Sequence, residues 1–170
     1  NRTMLWHGSR VTNFVGILSE GLRIAPPEAP VSGYSFGKGI YFADLASKSA
    51  AYCRATPENP DGLLLLCEVA LGNMYKAQSQ TAFSKPPKYF HSVLAEGSQI
   101  PDPMGKTLIS DSVYINCGNV IKKERSDGKL VLQNNEYIVY DVAQVQIRYI
   151  VRIKFKFGMY AGGTTTPMGQ

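Results

Sequence analysis

Phe36-Gly37-Lys38-Gly39-Ile40-Tyr41-Phe42-Ala43-Asp44, running on through Ser47-Lys48-Ser49-Ala50-Ala51-Tyr52, is the stretch around which the rest of the chain is arranged. Gly37 and Gly39 bracket a lysine and permit backbone conformations or close approaches that a Cβ obstructs. Ile40 to Ala43 reads as a short buried strand, and Asp44 suits the N-cap of a helix reaching about Tyr52. A strand that ends where a helix starts is a favourable place for a polar ligand. Tyr41, on the strand, and Tyr52, at the far end of the helix, then face each other across a gap. Two tyrosine faces hold a flat ring, and Ser49, three residues before Tyr52, offers that ring a hydroxyl. An ordinary strand–turn–helix with core aromatics is the other reading of the same stretch.

Outward from that stretch, Arg2 to His7 reads as a strand closed by Gly8-Ser9. Asn13 suits a helix cap, Phe14, Ile17 and Leu18 form one apolar face, and Gly21 supplies the stop. Pro26, Pro27 and Pro30 force an extended loop back to Gly33. Leu63 to Leu71, broken by Glu68, suits a strand buried on both faces. From Gly72 to about Asp111 regular signals thin into a long irregular excursion. Val113 to Ile115, Val120 to Lys122 and Glu136 to Tyr140 are strand candidates, and Ser126 to Lys129 reads as a turn after the charge run Lys122 to Arg125. Val145 to Phe157 alternates apolar with mostly polar residues at strict period two, which places Arg148, Arg152, Lys154 and Lys156 on one face. Residues 158–170 have no periodicity and read as a flexible tail. Many strands with two short helices predict an α+β domain of two packed sheets.

Composition narrows the function class. The chain has 170 residues, a net charge of +5, 44% hydrophobic and 18% charged residues, as a globular domain with a sizeable core does. No apolar run approaches the ~18 residues of a membrane span, so no membrane partner is expected. No charged-then-apolar leader opens the chain. Cys53, Cys67 and Cys117 lack C-x-x-C spacing and fit reduced thiols; two histidines without ligand-spaced partners predict no metal site. The positive charge is spread out, with no compact basic patch for nucleic acid.

A set of ordered motifs carries a resemblance beyond these patterns. LWHGS (Leu5 to Ser9), TNFVGIL (Thr12 to Leu18), GLRIAPPEAP (Gly21 to Pro30), FGKGIYFAD (Phe36 to Asp44), SKSA (Ser47 to Ala50), EVALGNMY (Glu68 to Tyr75) and NEYIVYD (Asn135 to Asp141) resemble the catalytic domain of the poly(ADP-ribose) polymerases. The likeness is strongest to the nuclear, DNA-damage-responsive members and runs from Asn1 to about Phe157. It implies an ADP-ribosyltransferase fold of two packed, mainly antiparallel sheets with short flanking helices. It also implies transfer of ADP-ribose from NAD, as substrate, to protein acceptors and the growing polymer, without a metal.

By the same resemblance His7, Tyr41 and Glu136 form the catalytic triad. Gly8 and Ser49 hold the nicotinamide carboxamide, Tyr41 and Tyr52 stack on its ring, and Ser9, Asn13 and Arg23 contact the adenosine side. Lys48 either lines the cleft or is a solvated helix lysine. Glu136 favours an oxocarbenium-like ribose and orients an attacking hydroxyl. The resemblance further implies a nuclear location, an upstream strand and helical regulatory domain that this chain lacks, and DNA dependence residing in domains absent here. A mono-transferase, or a reader of NAD or ADP-ribose, has the same fold; Glu136 argues against the reader.

Overall fold

The computed structural model describes residues 1–29, 33–123, 132–159 and 165–167. Its strands are β1 (Arg2–Ser9), β2 (Ile40–Phe42), β3 (Asp61–Ala70), β4 (Met74–Lys76), β5 (Ser92–Ala95), β6 (Gly97–Pro101), β7 (Lys106–Ser110), β8 (Val113–Asn116), β9 (Val120–Lys122), β10 (Leu132–Asn134), β11 (Glu136–Val139), β12 (Val145–Lys154), β13 (Phe157–Met159) and β14 (Thr165–Pro167). Two short helices, α1 (Phe14–Glu20) and α2 (Ala46–Ala50), flank them. One sheet runs β12-β3-β1-β8-β7 and a second runs β2-β11-β5-β4, with β10-β6-β9 and β13-β14 as smaller groupings. Among the described residues the two large sheets meet at one antiparallel bridge, Trp6 to Ala43.

Period two explains why the second sheet is buried on both sides. On β2, Ile40 and Phe42 face the first sheet while Tyr41 faces away; on β11, Tyr137 and Val139 face it while Ile138 does not. Between the sheets lies a core with Leu5, Leu65, Cys67 and Val69 from the first and Ile40, Phe42, Leu94 and Val139 from the second. Phe36, Ala77, Val93, Ala95 and Ile138 form a smaller core on the outer side. Each fully buried side chain of this kind contributes about 1.5–3 kcal/mol, so the second sheet is anchored twice. β3 is covered on both faces, and its one charged interior residue, Glu68, bonds Arg2 and Arg148.

Several sequence expectations change. The excursion from Gly72 to Asp111 contains four strands, β4 to β7, and β5 is wholly buried. At four residues, β5 is too short to declare a period. The alternation of β12 is interrupted by a bulge: Ile147 pairs with Cys67, Tyr149 pairs with Leu66, and Arg148 is the extra residue. One inserted residue reverses the facing of everything after it. Arg148 therefore reaches Glu68 on one face, whereas Arg152 and Lys154 lie opposite Leu63 and Asp61 on the other. The expected single basic face does not form.

Asn13 does not cap α1, because a 3-10 turn over Val11–Asn13 precedes the helix and leaves Asn13 itself helical. Leu18 is 56% exposed, so the buried side of α1 is Phe14 with Ile17. Gly21 does end the helix, at φ 79°. Within the expected tail, β13 pairs antiparallel with β14. The turn expected at Ser126 to Lys129 lies outside the described residues.

Candidate active site

The site opens where β1 loses a neighbour. Beside its first residues β1 pairs with β8, Met4 opposite Ile115. At Trp6 the same edge is taken by Ala43, whose N–H and C=O exchange bonds of 2.9 and 2.8 Å with Trp6. Antiparallel strands alternate the side to which each residue directs its backbone groups. Gly8, two residues on, therefore turns its N–H and C=O to the edge that Trp6 uses, away from β3, past the end of the bridge. A side chain at position 8 is excluded, since its Cβ would lie 1.9 Å from the Ser49 carbonyl oxygen. That contact brings α2 onto β1, where the buried Ser49 hydroxyl donates to Trp6 O at 2.9 Å.

His7, Gly8, Tyr41, Phe42, Ala43, Lys48, Ser49, Tyr52 and Glu136 line a small cavity at this edge. His7 Nδ1 lies 2.8 Å from Tyr41 O, a carbonyl that can only accept, so Nδ1 carries the proton and Nε2 is left an acceptor. Burial lowers the His7 pKa, opposed by that bond, and keeps the ring neutral. The Tyr41 hydroxyl donates to Gly37 O at 2.7 Å and accepts from Phe36 N at 3.0 Å, which fixes its ring. Burial pushes its pKa up to about 12. Gly37 permits this by adopting φ 89° with its backbone packed against Phe83. Glu136, at the start of β11, pairs through Oε1 with Lys48 Nζ at 2.8 Å. The Lys48 pKa is raised: burial lowers it, but the bond to Glu136 and the charge of Glu136 outweigh that.

A wider, more open cavity adjoins it, sharing His7 and Tyr41 and adding Ser9, Asn13, Arg23 and Tyr34. Asn13 Nδ2 donates to Ser9 Oγ at 2.9 Å, and Arg23, 69% exposed, pairs with Glu20 at 2.9 Å. The ten residues singled out by sequence thus fall around two connected spaces, five on the small one alone, three on the large one alone, and His7 and Tyr41 on both. The helix after Asp44 starts later than expected. Leu45 occupies the N-cap of α2, and Asp44 is buried, accepting at Oδ2 from Asn135 Nδ2 at 2.7 Å and from the Tyr137 hydroxyl at 3.0 Å. Those two residues flank Glu136, so Asp44 holds the side chains on both sides of it. Burial raises the Asp44 pKa, opposed by these bonds. No periodicity marks this role; an aspartate closing an apolar run reads as a cap.

Residues 1–155 match the family described as Poly(ADP-ribose) polymerase catalytic domain. Two sheets meeting at a cleft-forming bridge are its ADP-ribosyltransferase α+β fold, and the chain belongs to this family. It is 56% identical over 157 residues to Poly [ADP-ribose] polymerase 1 of Gallus gallus, covering 92% of this chain and 15% of that protein. Poly [ADP-ribose] polymerase of Drosophila melanogaster is 55% identical over 157 residues, with 92% and 16% covered. Poly [ADP-ribose] polymerase 2 of Arabidopsis thaliana is 51% identical over 159 residues, with 92% and 24% covered. The chain spans between about a seventh and a quarter of the length of these relatives.

Proposed function

We propose that this chain is the catalytic part of a protein that transfers ADP-ribose from NAD to protein acceptors and extends it to poly(ADP-ribose). The observation that carries the reading is the small cavity, which joins a free strand edge, two tyrosines, a hydroxyl and a lysine-held carboxylate. Gly8 N–H and C=O match the acceptor and donor of a carboxamide. Ser49 adds a third contact by turning its proton from Trp6 O onto the amide oxygen, and Trp6 O keeps its bond from Ala43 N. Tyr41 and Tyr52 enclose the ring. His7 Nε2 accepts from a ribose hydroxyl, while Ser9, Asn13 and Arg23 take the adenosine half, with Arg23 exchanging Glu20 for phosphate. No group in this reaction requires a metal.

The bond from nicotinamide to ribose breaks with its electron pair on the leaving ring, and a bond from the anomeric carbon to an acceptor oxygen replaces it. Glu136 stabilises the positive ribose and orients, then relieves of its proton, the attacking hydroxyl. Tyr41, with both sides of its hydroxyl bonded, holds geometry and not charge. A role in the DNA-damage response, a nuclear location, an upstream regulatory domain and DNA contact through domains outside this chain accompany the reading; the names of the relatives and the small share of their length covered support it. The longest protein carrying this chain, incubated with labelled NAD and run on a sizing gel, is expected to give a ladder. A single band means a mono-transferase, and absence of label means a reader.

A further inference from the structure

Lys38 belongs to neither cavity, yet it makes the densest set of polar contacts of any lysine among the described residues. Its Nζ donates to Pro26 O at 2.7 Å, to Ala29 O at 2.7 Å and to Pro27 O. An ammonium has three N–H donors, and here each has its own carbonyl. Among the described residues no carboxylate pairs with Lys38, although it is half-buried. The loop needs such a partner for a reason written in its sequence. Consecutive prolines supply no N–H and cannot continue a helix or a ladder, so the carbonyls of this segment are left to other donors. One backbone bond, Ala29 N to Pro26 O at 3.0 Å, closes the turn; Lys38 supplies the rest.

Lys38 is itself fixed. Phe36 O accepts from Tyr140 OH at 2.6 Å and from Phe83 N at 3.1 Å, and Gly37 O accepts from the Tyr41 hydroxyl. The lysine therefore ties a proline loop to the rigid start of β2. The Pro26–Ala29 turn follows Arg23 and precedes Tyr34 in the chain, and both of these residues line the wide cavity. We infer that Lys38 is a positioning residue: by crowning its ammonium with the Pro26, Pro27 and Ala29 carbonyls it sets the loop that carries Arg23 and Tyr34, and so sets affinity for the adenosine half of NAD. The consequence for NAD rests on the functional reading above; the latch does not.

Two arms separate them. Cleavage after the exposed Glu28 by a glutamate-specific protease reads the latch without any turnover. Lys38→Ala is expected to speed that cleavage about tenfold, the loss of at least one charge-assisted bond, and to raise KM for NAD by a similar factor with kcat and benzamide affinity unchanged. Ammonium, which fits the three vacated carbonyls, is expected to slow the cleavage and lower KM in Lys38→Ala relative to equal sodium chloride. In Lys38→Met, whose side chain fills the crown without a donor, ammonium does nothing. Unchanged cleavage in Lys38→Ala, or equal responses of both variants to ammonium, overturns the latch. Slower kcat with weakened benzamide binding also overturns it, as general damage. Should wild-type protein fail to use NAD, the functional reading fails while the cleavage arm still decides the role of Lys38.

Discussion

Two glutamates, Glu68 and Glu136, are both buried in strands and both paired with cations, yet their surroundings differ in kind. Glu68 is clamped from two sides, Oε1 by Arg2 at 2.8 Å and Oε2 by Arg148 at 2.8 and 2.5 Å. The β12 bulge that aims Arg148 exists at the very residue that reaches it. Glu136 has one lysine on Oε1, and among the described residues Oε2 has no protein partner, while the side chain lines a cavity. A carboxylate with every lone pair answered is part of the scaffold. One left half-answered at a cavity wall is arranged for something that arrives.

Substitution to glutamine should break the two apart most clearly. Glu136→Gln keeps shape and one hydrogen bond but carries no charge and takes no proton. Turnover should fall about 10²-fold or more, with NAD affinity and the unfolding midpoint nearly unchanged. Adducts should shorten to single ADP-ribose units, read on a sizing gel beside an NAD titration. Long polymer at near-normal rate would remove Glu136 from the chemistry.

Glu68→Gln should do the reverse. Arg2 and Arg148 are about half exposed, so water screens the loss, and about 1–3 kcal/mol of stability is expected to go. That corresponds to a midpoint about 2–4 °C lower per kcal/mol for a domain of this size. Rates per folded molecule should hold. A large loss of kcat without a thermal shift would mean that β3 and β12 feed the site directly and that the contrast is false.

Part of this contrast could be read in the sequence and part could not. Glu136 stood out through NEYIVYD, and Gly8, Tyr41, Ser49 and Tyr52 through motifs whose spacing survives in the cavity lining. The strands with long apolar runs, β1 and β3, were legible for the same reason: one dominant environment per face. Asp44 was not, since its partners Asn135 and Tyr137 lie over ninety residues away and no local pattern encodes such a bond. Nor was the bulge at Arg148, which the sequence marks only by Ile150 standing where the alternation calls for a polar residue, while the ladder beside it slips by one. Four-residue strands such as β5 carry too few positions to show a period at all.

Within the small cavity, the next contrast is between a stacking residue and a hydrogen-bonding one. Tyr52→Ala removes a face of the proposed ring site and Ser49→Ala one hydroxyl that already has Trp6 O for a partner. The serine variant should weaken benzamide by about 0.5–1.5 kcal/mol, roughly two- to tenfold. The tyrosine variant should cost more, because stacking and buried area go together. Equal affinities in wild type and Tyr52→Ala would place the ring elsewhere.

The smallest effect concerns pH and His7, which shares the wall with Glu136 but is held uncharged by burial. Burial holds its pKa below the ordinary 6.5, opposed by the bond to Tyr41 O. A histidine whose folded pKa is depressed contributes stability that is present above the unfolded value and is lost as pH falls through the folded value. The same proton occupies Nε2 and, in the proposed reading, removes the acceptor for a ribose hydroxyl. NAD affinity should therefore stay level from pH 8 down past 6.5 and weaken only below it, while benzamide, which has no ribose, stays level throughout. His7→Asn can keep a donor toward Tyr41 O but has nothing to protonate, so its NAD affinity should be lower and should lose the acid limb. Calorimetric titration of both ligands across that range decides it. An inflection above 6.5 would mean that the ring is charged in the working site, and the division between a charged Glu136 and a neutral His7 would fall.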